Sequence, residues 1–292
     1  MSLPRFEYLA PKTVREVCKL LSQYKGRVKI IAGGTDLLVK MKDRELTPQY
    51  LVGIKKIENL DYIHYNAVTG LSIGALTSHQ SIANSPIVRE KFPILAMAAA
   101  EIGTPQIRNM GTVGGNLCNA APSADTASPL IALGAMVKLV SSKRERTIAL
   151  EKFFTGPGET VLNDDELLTE IQVPNLPPRT GGTYLKLFSR GAVDIATVGV
   201  AAMLTLGKNE CCDRARIVLA AVAPTPLRAK RAEEVIEGKK IENAIVEKTA
   251  EIAVEEAQPI SDVRSSAEYR REMVRVFTKQ AIIQSLEQAK QV

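Results

Sequence analysis

Apolar positions at Val14, Val17, Cys18 and Leu21 recur with a helical period, Thr13 stands where an N-cap belongs, Glu16 occupies the capping-box position and Gly26 follows. The spacing predicts a helix over 13–24. A short β-rich run, Val28–Ile31, comes next and stops at Ala32, Gly33, Gly34, Thr35 and Asp36, so the first fifty or so residues read as a small α/β unit with a glycine turn directly after a strand. Short strands are then predicted at Tyr50–Ile54 and Leu71–Ile73, an alanine-rich helix near Pro93–Ile102, a second helix near Ala124–Leu133, and strands at Ala135–Val140 and Leu167–Val173. Between the two helices, Gly103 to Pro122 shows almost no helical or strand period, and loops of that length in a compact domain carry function.

Proline and glycine cluster from Pro174 to Gly182 and mark a boundary. Beyond it, Thr183–Phe188, Ala196–Leu206 and Arg216–Ala223 are expected to form an antiparallel sheet with hairpin connections. Helical segments near 231–237, 241–257 and 266–288 close the chain, the last with Tyr269, Met273, Val276 and Phe277 on one packed face.

A chain of 292 residues is long for one compact unit and is expected to split into parts. With 45% hydrophobic and 24% charged residues it has the composition of a globular protein, not of a disordered or fibrous one. Aromatics make only 4% and tryptophan is absent, which argues against a base-stacking nucleic-acid platform despite a net charge of +6. The basic residues fall in short patches (Lys143, Arg144 and Arg146; Arg228, Lys230 and Arg231) that read as solvated surface. The four cysteines, Cys18, Cys118, Cys211 and Cys212, form no C-x-x-C pair, so this chain holds neither a zinc module nor an iron–sulfur cluster of its own. A reducing, cytoplasmic setting fits, with no secretion signal, membrane anchor or apolar segment long enough to span a bilayer. His64 and His79 read as loop or surface residues.

Candidate chemistry lies in two glycine-rich segments. Ala32 to Asp36 matches neither G-x-G-x-x-G nor a P-loop, yet paired glycines let backbone N–H groups ring an anion such as a pyrophosphate, with the Thr35 hydroxyl as an added donor. A strand-ending tight turn is the plain alternative. Thr112, Val113, Gly114, Gly115 and Asn116 repeat that chemistry with one hydroxyl and one carboxamide. Asp125, near the following helix start, reads either as a cap or as a ligand for sugar hydroxyls. Two such segments suit an elongated ligand with a central diphosphate.

These segments, together with Gln106–Asn109, Pro122-x-x-Asp125, Tyr184-Leu185-Lys186, Ser189-Arg190, Asp194–Ala196 and Asp262–Arg270, resemble the FAD-binding medium subunit of molybdenum hydroxylases, the carbon monoxide dehydrogenase and xanthine dehydrogenase family. The resemblance covers essentially the whole chain. It implies an α+β fold: a two-part FAD-binding domain of the vanillyl-alcohol-oxidase (PCMH) type (1–55 and 56–176), then a C-terminal antiparallel sheet with helices (180–292). It further implies that Ala32, Gly33, Gly34, Thr35 and Asp36, with Thr112, Val113, Gly114, Gly115 and Asn116, wrap the FAD pyrophosphate. Asp125 would bond the ADP portion, Ile102 would pack near the adenine, Leu168 would approach the isoalloxazine, and Lys186, with Tyr184 beside it, would reach the flavin.

The implied partners are a large molybdopterin-binding subunit and a small [2Fe-2S] subunit, in a hetero-oligomer such as a dimer of heterotrimers. Electrons would pass from the partner's clusters to the flavin and on to an external acceptor. No catalytic acid or base and no metal ligand is assigned. The lack of a four-cysteine insertion sets the chain apart from the hydroxybenzoyl-CoA reductase type. A self-sufficient FAD-dependent reductase or oxidase of similar fold is the alternative, and a scaffold subunit that has lost FAD is a second. Substrate (CO, a purine, an aldehyde, an N-heterocycle) and acceptor (NAD, a quinone, oxygen) stay open.

Overall fold

The computed structural model describes residues 2–188, 191 and 194–291, so the expected Ser189-Arg190 pair lies outside the described residues. The chain opens with β1 (Glu7–Leu9), α1 (Val14–Gln23), β2 (Val28–Ile31), α2 (Leu37–Lys42) and β3 (Tyr50–Gly53). α1 starts as predicted: Thr13 accepts the Glu16 N–H at 3.2 Å, and Glu16 reaches back to the Lys12 N–H at 2.7 Å. The three strands form a parallel sheet in the order β1-β3-β2 over a core that includes Val17, Cys18, Leu21 and Val52.

The second sheet uses β4 (Ile63–Asn66) and β5 (Gly70–Gly74). Six short helices follow, α3 (His79–Asn84), α4 (Pro86–Lys91), α5 (Pro93–Ala100), α6 (Pro105–Met110), α7 (Val113–Asn119) and α8 (Ala127–Ala132). The chain returns as β6 (Met136–Val140) and β7 (Glu145–Ala149), makes a small hairpin of β8 (Phe154–Gly156) and β9 (Glu159–Thr160), and ends in β10 (Leu167–Val173). β10 slots between β5 and β6, giving the antiparallel order β4-β5-β10-β6-β7. The helices bury this sheet's apolar face; Phe92, Ile94, Leu95, Leu117 and Leu130 are essentially solvent-free.

The expected loop from Gly103 to Pro122 is corrected, because it contains α6 and α7. The hydroxyls of Thr104 and Thr112 accept the N–H groups of Ile107 and Gly115, and Pro105 pre-sets the first turn of α6. The paired glycines hid α7. Gly114 is required there because a Cβ would lie 2.6 Å from the Ala75 carbonyl oxygen.

The last part begins with β11 (Thr180–Leu187), β12 (Val198–Leu206), β13 (Cys212–Ala220) and β14 (Leu227–Arg228), an antiparallel sheet in sequence order. α9 (Lys230–Ile236), α10 (Asn243–Glu256) and α11 (Ala267–Gln291) cover it. β12 is buried at all nine positions: Val198, Val200, Ala202 and Leu204 face these helices, while Ala201 and Met203 join the core of the preceding part. Gly181 and Gly182 lie inside β11 and do not break it. A Cβ on Gly181 would sit 2.1 Å from the Ser285 carbonyl oxygen of α11, so the glycine lets helix and strand approach closely.

The packed face of α11 includes Met273 and Phe277, as expected, but is centred elsewhere. Small residues at Ala281, Ser285 and Ala289, with Arg270, Val274 and Thr278, line the buried stripe, and Tyr269 is half-exposed. Gly181→Ala is expected to destabilise the protein by about 1–3 kcal/mol through overpacking, measured by denaturant unfolding. An unchanged midpoint would contradict the packing described.

Candidate functional site

β2 ends at Ile31 and α2 starts at Leu37, so Ala32 to Asp36 form the turn between them, with Gly34 at φ +76° where L side chains are strained. Among the described residues, the N–H groups of Gly33, Gly34, Thr35 and Asp36 donate to no acceptor. Each of these residues is at least partly exposed. Four adjacent amides without acceptors in a glycine turn are donors of the kind that receive an anion.

The second segment lies against the first. A Cβ on Gly33 would fall 2.1 Å from the Met110 carbonyl oxygen and 3.0 Å from the Gly111 Cα, so the two backbones touch there. A polar clasp lies beside the contact: Asn119 donates to Asp36 Oδ1 at 3.2 Å, and Lys40 donates to Asn119 Oδ1 at 2.8 Å. The sequence reading missed Lys40 and Asn119. Their signal was weak, a lone carboxamide ending one helix and a lysine one turn into another.

Four of the five amides of the second segment are already bonded, which corrects that part of the expectation; Thr112 N–H has no acceptor among the described residues. Val113 N–H donates to Thr77 O, Gly114 N–H to Ala75 O, Gly115 N–H to the Thr112 hydroxyl and Asn116 N–H to Thr112 O. The Asn116 carboxamide oxygen accepts from Thr126 at 2.7 Å, and the Val113 side chain is buried in the core. This segment therefore offers a small-residue wall with one unbonded amide, Thr112 N–H, and the first offers four.

Asp125, Tyr184 and Lys186 meet where the helices pack on β11. Tyr184 donates to Asp125 Oδ1 at 2.8 Å, and the Lys186 ammonium donates to Asp125 Oδ2 and to the Glu101 carbonyl, each at 2.9 Å. Asp125 therefore does not cap a helix; no backbone N–H donates to it among the described residues. Burial raises its pKa, and Lys186 and Tyr184 oppose the rise by favouring the charged form. Burial and the adjacent carboxylate push the Tyr184 hydroxyl well above its ordinary range. Tyr184 is fully buried, not half-buried as a sheet aromatic would be.

Ile102 is buried, and its carbonyl accepts from Arg108 at 3.2 Å. Leu168 lies in β10 at a bulge, with its side chain 2% exposed in the central core. The side chain is thus closed off in the core, and an approach of Leu168 to the isoalloxazine would have to be made by its backbone.

His64 is exposed, as expected, whereas His79 is buried and corrects the surface reading. Its backbone N–H donates to Gly111 O, and a Cβ on Gly111 would lie 3.2 Å from its ring. Burial pushes its pKa down from 6.5 to about 4. Between those values the unfolded chain binds a proton that the folded chain does not. Stability is therefore expected to fall by about 3 kcal/mol as pH drops from above 6.5 through 4. Urea titrations across that range are expected to show the loss and to show it flattened in His79→Leu. An equal acid response in the variant would assign it elsewhere.

The comparisons with known proteins bear on this geometry. The family described as the FAD binding domain in molybdopterin dehydrogenase matches residues 4–176, and the CO dehydrogenase flavoprotein C-terminal domain matches 183–285. This chain belongs to that flavoprotein family. It is 37% identical over 279 residues to the carbon monoxide dehydrogenase medium chain of Hydrogenophaga pseudoflava, covering 96% of each chain. It is 36% identical to the glyceraldehyde dehydrogenase medium chain of Sulfolobus acidocaldarius, over 95% of this chain and 97% of the other. Among solved structures, a chain of Hydrogenophaga pseudoflava carbon monoxide dehydrogenase superposes with a TM-score of 0.95 over 99% of each chain. A chain of quinoline 2-oxidoreductase from Pseudomonas putida 86 gives 0.92 at 31% identity, again over 99% of each. The α+β fold expected from the sequence is thus the family's fold, and the family's cofactor is FAD.

Proposed function

We propose that this chain is the FAD-binding medium subunit of a multi-subunit molybdenum hydroxylase. In that assembly a large molybdopterin subunit oxidises substrate, a small subunit carries electrons through [2Fe-2S] clusters, and this chain passes them to an external acceptor. The observation that carries the reading is the run of unbonded amides at Gly33–Asp36, held against Met110 and Gly111 in a chain that matches the flavoprotein family end to end.

Gly33, Gly34, Thr35 and Asp36 would donate to the FAD diphosphate, and Thr112–Asn116 would give the close wall that lets it sit there. Ile102 and Asp125 would meet the adenosine end, Asp125 adding a sugar hydroxyl to its two present donors. Lys186 and Tyr184 would act through Asp125 from the C-terminal sheet. FAD, when bound, supplies the chemistry that accepts electrons from one-electron carriers and delivers them to the acceptor. The protein's own work is to bind the diphosphate, fix the flavin's position and hold Asp125 in place through Lys186 and Tyr184.

The chain is read as three parts, 1–55, 56–176 and 180–292. The cytoplasm is the compartment it suits, since all four cysteines are free thiols. No helix among the described residues is long and apolar enough to cross a membrane.

The test is purification of the tagged chain from its native host, with assays for flavin, molybdenum and iron. Recovery with FAD and with molybdenum- and iron-containing partner subunits is expected. A fully active single flavoprotein chain, free of both metals, would overturn the reading in favour of a self-sufficient oxidase or reductase.

A further inference from the structure

The face of the C-terminal sheet that meets the rest of the chain carries Tyr184 and Lys186 near one end of β11. At the other end the same face carries Thr180 on β11, Thr205 on β12 and Arg214 on β13, which lie side by side in register. Arg216, two residues along β13, shares that face. These side chains line a small cleft of about 50 Å³, closed by Ala132 and Leu133 at the end of α8 and by the Pro174–Pro177 segment. At roughly 10–15 Å³ for each water-sized site, that is room for about three to five non-hydrogen atoms.

The cleft's charge is unbalanced. Neither Arg214 nor Arg216 has a carboxylate partner among the described residues, although most arginines packed in this protein do. Of the five N–H donors on Arg216, one reaches the Ala132 carbonyl at 3.3 Å, and its buried Nε has no acceptor. Burial and the neighbouring cations Arg214 and Arg228 all work against its charge. The nearest acids, Glu233 and Glu151, offset this only in part, and their carboxylates are held by Arg228 and Lys230.

Hydroxyl donors complete the set. Thr180 and Thr205 bond each other at 2.8 Å, and whichever oxygen accepts keeps its own proton to give. Asn175 offers nothing, since its amide donates to Ala67 O.

Unpaired guanidiniums, a spare hydroxyl proton and partly apolar walls in so small a space are the chemistry of an oxyanion site. We propose that the cleft between α8, the Pro174–Pro177 segment and the face of β11–β13 turned toward them binds a small tetrahedral oxyanion, phosphate or sulfate, through Arg214, Arg216 and the Thr180–Thr205 pair. The bound anion would tie the FAD-binding part to the C-terminal sheet at the end of the seam opposite Asp125–Lys186. By mass action it would stabilise the folded chain in proportion to its concentration. The proposal does not depend on the flavin reading.

The experiment is isothermal titration of the purified FAD-loaded protein with inorganic phosphate, repeated with sulfate, at ionic strength held constant with sodium chloride. Loading with FAD keeps the Gly33–Asp36 amides from answering for the cleft. Saturable phosphate binding is expected, weakened about tenfold or more in Arg214→Gln, as for loss of one charge-assisted hydrogen bond. Arg214 lies at the exposed mouth, so this variant keeps its fold even where Arg216→Gln, which packs against Gly134, does not. Sulfate competing for the same site supports recognition by shape and charge. Absence of saturable binding, or binding equally tight in Arg214→Gln, overturns the proposal.

Discussion

Gly33→Ala is expected to reduce FAD affinity at least about a hundredfold, the loss of two or more hydrogen bonds to a charged acceptor. The methyl would need the space held by the Met110 carbonyl oxygen 2.1 Å away, so the turn must pull back from α6 and α7. That movement separates the donor amides of Gly33–Asp36 from the wall they face. The chain itself should stay folded, because Gly33 and Met110 are at least partly exposed and neither belongs to the three cores. Gly115→Ala provides the contrast within the same site. Its Cβ would meet only the Thr112 hydroxyl, at 2.9 Å, so weakening of one helix cap and a small change in affinity are expected. Fluorescence titration with FAD measures both. Wild-type affinity in Gly33→Ala would remove the loop contact from the account.

Asp125→Ala is expected to cost about 3–5 kcal/mol of stability, because it strands the Lys186 ammonium and the Tyr184 hydroxyl in the interior. For a chain of this size that is a fall in melting temperature on the order of ten degrees. Asp125→Asn should fall between the two, since its amide oxygen still accepts from Tyr184 while Lys186 loses its counter-charge. Calorimetry of the two variants separates this account from a helix cap, whose removal costs about 1 kcal/mol and affects both variants little. A melting point unchanged in Asp125→Ala would contradict the buried network.

The sequence made much of this visible, because most elements carry strong local signals. Thr13 and Glu16 announce α1, and the apolar run of Leu167–Val173 is β10 to the residue. The misses share one cause: a glycine or small residue chosen for close packing reads locally as a break. Gly114 and Gly115 conceal α7, Gly181 and Gly182 read as part of a boundary though they lie in β11, and Ala281, Ser285 and Ala289 carry the packed face of α11 beyond Met273 and Phe277.

At the site, the first glycine turn was legible from chemistry alone, since paired glycines after a strand expose amides. What was not legible was partner choice over long separations. Asp125 is 59 residues from Tyr184 and 61 from Lys186, and Asn119 is 83 from Asp36. No local pattern announces that a carboxylate will be claimed by a distant sheet instead of by its own helix. His79 illustrates the same limit, since burial from every side is a property of the fold and not of the segment that carries it.

The central claim is that the amides of Gly33–Asp36 hold the diphosphate of a dinucleotide flavin. Equilibrium titration of the flavin-stripped protein, in the form in which it is purified, with FAD and in parallel with FMN tests it most directly. FMN carries a single phosphate and no adenosine. Tight, stoichiometric binding of FAD with restoration of the flavin absorption band, and far weaker binding of FMN, is the result expected. Failure to bind FAD, or equal affinity for both flavins, would contradict the account.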